Sequence, residues 1–233
     1  MNSEIHESDK LRSPDCVCDP DRRTHLFVNV NKNSGEVTPK VIDDQYQAIA
    51  CFTLNSTVPS EVAAHFETAK NLYLFAWFVY RFYSVAEQQA IASLEFALRE
   101  RLRDFVAAEK KKYPKSNEPG LKKLFGHALK ERIIRNECIS VRDNWARSRA
   151  TERYRFQKSE EARIAGINSW REDDSKILVT PEDMNYDWLG DFYELIPKIR
   201  NSYAHGSWHL YPARVRHTFE MVAEIIYQLY PSS

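Results

Sequence analysis

The sequence predicts an all-α protein, and three observations support this. Apolar residues recur at spacings of three and four in several stretches between residues 57 and 230, which is typical of helices that bury one face. Helix-ending residues such as Pro114, Gly120 and Pro231 separate or follow these stretches. Alternation typical of strands is confined to residues 25–42. We therefore expect an up-and-down bundle of four to five helices with a small irregular or β-hairpin N-terminal arm.

Length and composition indicate an ordinary globular protein. With 233 residues and 43% apolar content, the chain is long enough for one well-packed domain. We expect residues 57–233 to form this domain and residues 1–56 to form an arm that is partly disordered or a short hairpin. The 33 basic and 33 acidic residues balance, so any electrostatic signal must be local. The four cysteines are too few for a disulfide scaffold and suit a reducing cytoplasm.

Several classes of function are excluded at this level. The longest apolar run, Leu72–Tyr80, is less than half of the roughly 20 residues that span a bilayer, and the N-terminus lacks the pattern of a signal peptide. We therefore expect no membrane partner. The six glycines form no phosphate-binding loop, dinucleotide fingerprint or nucleophile elbow. We expect neither a cofactor nor a metal.

The N-terminal arm offers little chemistry. Residues 1–24 are polar and predict a loose tail. Cys16 and Cys18 have a one-residue gap, which differs from the spacing of structural zinc sites, so we interpret them as free thiols. Residues 25–30 and 37–42 flank a turn at 31–35 and predict a short hairpin, in which Pro39 restricts the second strand to an edge.

Five helices are predicted in the remainder of the chain. Ser60 is expected to cap the first, and Ser84 with Glu87 has the spacing of a capping box for the second, which should continue to Lys112. The others begin near Leu121, Asp187 and Pro212. The predicted core stripes are Val62, Phe66, Ala69, Tyr73, Ala76, Trp77 and Tyr80; Ile91, Leu94, Leu98, Leu102 and Phe105; Leu121, Leu124, Phe125, Ala128, Leu129 and Ile133; Leu189, Phe192, Tyr193, Ile196, Ile199 and Tyr203; and Val215, Phe219, Val222, Ile226 and Leu229.

One acidic residue interrupts the apolar stripe of the second helix. Glu95 lies in the middle of that face, where an unpaired carboxylate would be costly. Arg99, one turn further along, can form an ion pair with it. Alternatively, Glu95, together with Arg99, faces Arg200 and His205 and orients one of them. The sequence leaves both interpretations open.

Residues 140–176 contain a basic segment with interleaved aromatic residues. Cations bind phosphates and flat rings stack on unpaired bases, so the segment is a candidate surface for single-stranded RNA. The alternative is a charged, solvated helix whose aromatic residues pack inward. The candidate RNA-binding residues are Arg142, Arg147, Arg149, Arg153, Arg155 and Lys158, with Trp145, Tyr154 and Phe156 between them.

The strongest candidate for an active site is at the end of the fourth predicted helix. At 100° per residue, Asn201 and His205 lie one turn apart on almost the same line, and Arg200 lies one step to the side. Gly206 fits a helix end or bend, and Pro197 is expected to kink the helix before the site. Basic residues are also common in last turns because they complement the helix dipole.

The stretch Arg200-Asn201-Ser202-Tyr203-Ala204-His205-Gly206 resembles the signature of the HEPN superfamily, in which Arg, usually followed by a polar residue, precedes His by four to six intervening residues. The segment from Ala92 to Arg99 is also similar to the second helix of many HEPN domains. The resemblance covers about residues 57–230, loosely outside the motif. It implies a helical bundle with the motif just before the final helix.

The resemblance also implies an activity. Active HEPN proteins are metal-independent endoribonucleases, so His205 would be the general acid or base, Arg200 would bind the phosphate, and Asn201 would position the histidine or the sugar. RNA is the expected substrate and a homodimer the expected assembly, because two protomers of this family combine their motifs. A toxin or phage-defence role, with an antitoxin or regulatory protein as partner, is consistent with the family.

Two features weigh against parts of this interpretation. Residue 207 is Ser, where family toxins controlled by nucleotidyl transfer often have Tyr, so that form of control is not expected. A zinc site formed by His205, His209 and His217 is disfavoured because Gly206 and Pro212 break the helical spacing. The alternative function is a catalytically inactive HEPN-like helical module that binds RNA or a protein partner.

Overall fold

The computed structural model describes residues 5–31, 34–115, 118–204 and 212–232, with residues 200–204 described by their backbone alone. Within this part of the chain there are nine α-helices and a two-stranded antiparallel hairpin, so the protein is mostly helical, as predicted. The elements are β1 (Val28–Val30), β2 (Val37–Pro39), α1 (Ile42–Ala50), α2 (Ser60–Phe75), α3 (Phe82–Arg101), α4 (Arg103–Lys112), α5 (Leu121–Lys130), α6 (Arg142–Ala165), α7 (Pro181–Met184), α8 (Trp188–Ala204) and α9 (Pro212–Leu229). Among these residues, no helix is long and apolar enough to span a bilayer.

The centre of the fold is α3, which packs between α2 and α9. Phe219 of α9 is fully buried, and its ring centroid lies 5.7 Å from that of Phe66 and 5.8 Å from that of Tyr73. The predicted core stripes are confirmed: most members are buried, while Tyr80, Phe105, Leu129, Ile133 and Tyr193 are partly buried against the core. Tyr203 lies outside the residues whose side chains are described. Helical periodicity therefore identified the core correctly.

The second predicted helix is divided in two. Leu102 has φ −108° and ψ 31°, outside the helical region, so α3 ends at Arg101 and α4 begins at Arg103. The predicted capping box at its start is wrong. The helix begins at Phe82, and Ser84 donates its hydroxyl hydrogen to the carbonyl oxygen of Arg81. Glu87 is instead fully buried against α9, where it accepts a 2.6 Å hydrogen bond from the Thr218 hydroxyl.

The N-terminal arm contains the predicted hairpin and an additional helix, α1. The strands pair Val28 with Pro39 and Val30 with Val37. Residues just before the hairpin are not a loose tail, because Asp21 anchors them to the connection between α2 and α3. Its backbone N–H donates to the carbonyl of Trp77 at 2.9 Å, and its fully buried carboxylate accepts from Arg23 and from the backbone of Tyr80. The buried carboxylate is satisfied by these donors, and this compensates for its lost hydration.

Candidate functional site

The helix that carries the HEPN-like motif is held in place at its start. Asn136 accepts a hydrogen bond from the backbone N–H of Leu189 at 3.0 Å, and its amide donates to the Asp187 carboxylate at 2.7 Å. It thereby satisfies one of the N–H groups that lack a partner in the first turn of a helix. Along α8, Leu189, Ile196 and Ile199 are buried. Both the N-terminal hydrogen bonds and the buried stripe fix the direction of α8.

Two of the three candidate catalytic residues, Arg200 and Asn201, lie near the other end of α8. The helix continues through Pro197 to Ala204, so the backbones of Arg200 and Asn201 are helical. Their side chains, and all of His205, lie outside the described residues. That these three side chains form one site therefore stays a prediction.

Glu95 and Arg99 form an ion pair, as one of the two interpretations expected. Nη2 of Arg99 lies 2.9 Å from Oε1 of Glu95, and Nη1 of Arg99 lies 2.8 Å from Oε2 of Glu118. Both members of the pair are partly exposed. The pair satisfies Glu95 locally. Its role in orienting the motif stays a prediction, because the side chains at the motif are not described.

The basic segment forms α6, and most of its candidate RNA-binding residues have acidic neighbours. Arg153 binds Asp183 and the carbonyl of Leu178, Arg155 binds Glu172 with two hydrogen bonds of 2.6 and 3.0 Å, and Lys158 contacts Glu161. Glu161 lies within α6, whereas Glu172 and Asp183 follow it in the chain, so two of these acids come back onto the cations from the residues after the helix. Bonds to Arg153 hold the pKa of the Asp183 carboxyl below its usual value, against the opposing effect of burial.

The other members of the segment differ in their surroundings. Arg149 lies 3.9 Å from Asp183 and over the ring of Tyr186; Arg142 is half-buried and Arg147 is exposed. Trp145 is buried, which agrees with the alternative of a charged helix whose aromatic residues pack inward. Phe156 does not follow this pattern, because its side chain is 72% exposed. RNA binding by α6 stays a prediction. Because four of the six cations have acidic neighbours, this surface is not a row of six free positive charges.

A groove of about 1070 Å³ lies between the N-terminal arm, α6, α8 and α9; we call it the central groove. Two of its lining residues, Lys198 and Pro212, flank the segment that contains the motif. The ionic side chains that line it balance in number, so charge alone does not select a ligand. They are Lys40, Arg149, Lys198, Arg214 and Arg216 on the basic side and Asp44, Glu152, Asp191, Glu194 and Glu220 on the acidic side.

Flat rings run in a continuous series along this groove. The guanidinium carbon of Arg149 lies 3.5 Å from the ring centroid of Tyr186, whose ring is 4.7 Å from that of Trp188. Trp188 is 5.2 Å from Trp145, and Trp145 meets His217 edge to face at 5.3 Å. We call the four rings the aromatic ladder. Such contacts fix ring orientation, because aromatic pairs prefer tilted and edge-to-face geometries.

The ladder ends at a carboxylate. Oε2 of Glu220 accepts a hydrogen bond from Nε1 of Trp145 at 2.8 Å and lies 3.5 Å from Nδ1 of His217. Burial raises the pKa of the Glu220 carboxyl, but bonds from His217 and Trp145 outweigh it, and the net pKa lies below the usual value. Glu220 therefore stays ionised near neutral pH and holds two ring nitrogens.

The described residues contain no group of three or more His, Cys, Asp or Glu side chains arranged for a metal ion. Cys16 and Cys18 form no disulfide. Of the disfavoured zinc set, His205 and His209 lie outside the described residues.

Sequence reasoning did not predict the groove, although it singled out Trp145, Arg149 and His217 for other reasons. Arg214, His217 and Glu220 recur at a spacing of three on α9, which would have indicated a polar stripe opposite the core stripe. The partners that α6 and α8 contribute are distant in sequence and gave no such signal. Comparisons of the chain with protein-family models, with curated proteins and with solved structures found no match.

Proposed function

We propose that this protein is a metal-independent endoribonuclease of the HEPN type. The observation that supports the proposal best is the position of the motif in the chain. The segment from residue 199 to residue 211 connects Lys198 to Pro212, and both of these residues line the central groove. A substrate in this groove would therefore contact both residues that flank, in the chain, the stretch with Arg200, Asn201 and His205.

The residue types suit cleavage of RNA through its own 2′-hydroxyl. His205 is the motif residue that can exchange a proton near neutral pH, and Arg200 can bind a phosphate with two parallel hydrogen bonds. Asn201 positions the histidine or the sugar. The 2′-oxygen attacks the adjacent phosphorus and the bond to the 5′-oxygen breaks, so the products carry a 2′,3′-cyclic phosphate and a 5′-hydroxyl.

The finer features of the family belong to the same proposal. The helices from α2 onward form an up-and-down bundle, and a two-fold homodimer brings two motifs together. The Glu95–Arg99 pair orients the motif from α3, and the cations of α6 contribute to RNA binding where they are not paired with acids. A regulatory protein or antitoxin acts by covering the motif.

The test is RNA cleavage in the presence of a chelator. We expect the purified wild-type protein to cleave RNA in EDTA and to leave 2′,3′-cyclic phosphate ends. Arg200→Ala and His205→Ala should each reduce the rate by about 100- to 10,000-fold without loss of folding, because each removes a group that acts in the transition state.

Arg163→Ala is a suitable control, since Arg163 is an exposed cation of α6 paired with Glu160. It should cleave at the wild-type rate. Equal cleavage by wild-type, Arg200→Ala and His205→Ala proteins would remove the assignment. Binding of RNA by the wild-type protein without cleavage would favour the catalytically inactive binding module.

A further inference from the structure

The β-hairpin of the N-terminal arm carries its apolar side chains on the side that faces solvent. Side chains alternate along both strands, and the register pairs Val28 with Pro39 and Val30 with Val37, so these four side chains share one face. All four residues are exposed, Val30 by 59% and Val37 by 58%. We call this surface the apolar hairpin face.

The polar residues of the hairpin lie on the opposite face. Asn29 and Thr38 pair with each other between the apolar pairs, and the Asn29 side chain contacts the Asp44 carboxylate of α1. Glu36 and Lys40, which flank β2, fall on the same side by alternation. An antiparallel sheet with one solvated face normally has the reverse arrangement, in which the apolar side chains face the core. A single chain therefore leaves the apolar side of its hairpin largely open to solvent.

Flanking residues extend this apolar surface. Leu26, just before β1, is 80% exposed, and Val41, just after β2, is 56% exposed. The six residues together expose an area on the order of 600 Å², which is at the upper end for a single apolar patch on a monomer. Since a two-stranded hairpin alone is only marginally stable in water, covering this face would stabilise the hairpin.

A second copy of this chain fits the face for two reasons. The face carries no charged side chain, because Glu36 and Lys40 lie on the other side, so two identical faces meet without repulsion between like charges. Two such faces would together bury about 1,200 Å², which reaches the lower end of the range for specific protein interfaces. Both the charge and the size of the face therefore suit self-association.

The free edge of β1 offers another way to join two copies, but it would not cover the apolar face. The backbone groups of Val28 and Val30 point away from β2, because Asn29 and Thr38 form the hydrogen-bonded pair of the ladder. Pairing of two β1 edges would use these groups and place the two apolar faces side by side, still open to solvent. Contact between the faces buries them.

We propose that two copies of this chain form a two-fold dimer in which the apolar hairpin faces pack against each other. The two hairpins stack as small sheets about 10 Å apart, with the valine side chains between them. Leu26 and Val28 also line the central groove, so the partner copy borders that groove. This inference does not rest on the nuclease assignment, because the contact needs neither RNA nor the motif.

Sedimentation equilibrium of the full chain without RNA tests the dimer. We expect a dissociation constant in the micromolar range, since the interface is small. Val30→Glu and Val37→Glu should each weaken the dimer by at least about 100-fold, because each brings two carboxylates into an apolar interface. The matched control is Val179→Glu, at a valine that is 40% exposed and lies outside the hairpin; it should dimerise as wild type does.

A proline variant distinguishes contact between faces from pairing between edges. Val30→Pro keeps an apolar side chain on the face but removes the N–H that points away from β2, and the hairpin tolerates proline at such a position. We expect it to dimerise as wild type does. If Val30→Pro is monomeric while Val37→Glu still dimerises, the edges pair and the proposal is overturned.

A measurement on the wild-type protein makes the test independent of any variant. In a mixture of isotope-labelled and unlabelled chains, we expect nuclear Overhauser effects between the methyl groups of Val28, Val30 and Val37 in different copies. A dimer without these signals uses another surface and overturns the proposal, as does a wild-type protein that is still monomeric at about 1 mM. RNA cleavage enters none of these measurements, so the dimer and the nuclease assignment can each fail alone.

Discussion

The α2–α3–α9 centre and the distal half of α6 show two different ways of holding a helix in place. In the centre, whole stripes of apolar side chains are buried, and the buried polar group Glu87 is satisfied by Thr218. In α6, after Ala150, the next buried side chain among the described residues is Ala162. Ion pairs such as Arg155–Glu172 connect this half of the helix to the acidic segment that follows it.

The difference has an energetic consequence. Burying a large apolar side chain contributes about 1.5–3 kcal/mol, whereas an exposed ion pair contributes about 0–1 kcal/mol and is screened by salt. Stability should therefore reside in the centre. The distal part of α6 should contribute less, since exposed ion pairs and few buried side chains hold it.

The largest effect is expected in the centre. Phe219→Ala should lower the free energy of unfolding by about 3–5 kcal/mol, because it removes a fully buried ring that contacts two others. Urea unfolding followed by far-UV circular dichroism measures this change. The matched control is Phe156→Ala in α6, whose ring is 72% exposed and whose loss should cost less than about 0.5 kcal/mol. Equal losses in the two variants would contradict the comparison.

An intermediate effect is expected where a charge is buried but well satisfied, as at Asp21. Burial raises the pKa of its carboxyl, but hydrogen bonds from Arg23 and Tyr80 outweigh this and the net pKa lies below its usual value of 3.8. The stabilisation is therefore complete above pH 3.8 and is lost as the pH falls through the lower value of the folded state.

Asp21→Asn should weaken docking of the N-terminal arm by about 1.5–3 kcal/mol at neutral pH, because it removes charge-assisted hydrogen bonds. Hydrogen exchange of the arm amides measures this opening. In the wild type, acidification below pH 3.8 should lower the protection factors of the arm amides, which are exchange rates corrected for the intrinsic effect of pH, and in Asp21→Asn much of that loss of protection should be absent. Identical pH dependence in both proteins would show that other groups anchor the arm.

The smallest effect is expected for the exposed pairs of α6. Arg155→Ala should cost about 0.2–1 kcal/mol, since the Arg155 side chain is 50% exposed and its pair with Glu172 is screened. The difference from wild type in urea unfolding should disappear at about 1 M salt, where the Debye length is about 3 Å. A loss above 2 kcal/mol that persists in high salt would mean that α6 is held as firmly as the centre.

The sequence predicted residues that act through burial better than residues that act through a hydrogen bond or an ion pair. Periodicity found the stripes on α2, α3, α5, α8 and α9 because burial on one face of a helix repeats every three to four residues. Local spacing failed at Glu87. It predicted a capping box with Ser84, but Glu87 accepts a buried hydrogen bond from Thr218 of α9. Local spacing cannot distinguish these two uses of a carboxylate, because the distant partner is not part of the local pattern.

The sequence by itself determined the helical class, the core stripes, the hairpin and the Arg-Asn-x-x-x-His motif, since all of these are local patterns. The tertiary structure decided which carboxylates neutralise the cations of α6, and it assembled Trp145, Trp188, His217 and Glu220 from three helices into one groove. Contacts between residues far apart in the chain depend on how the helices pack. No periodicity within a single helix specifies them.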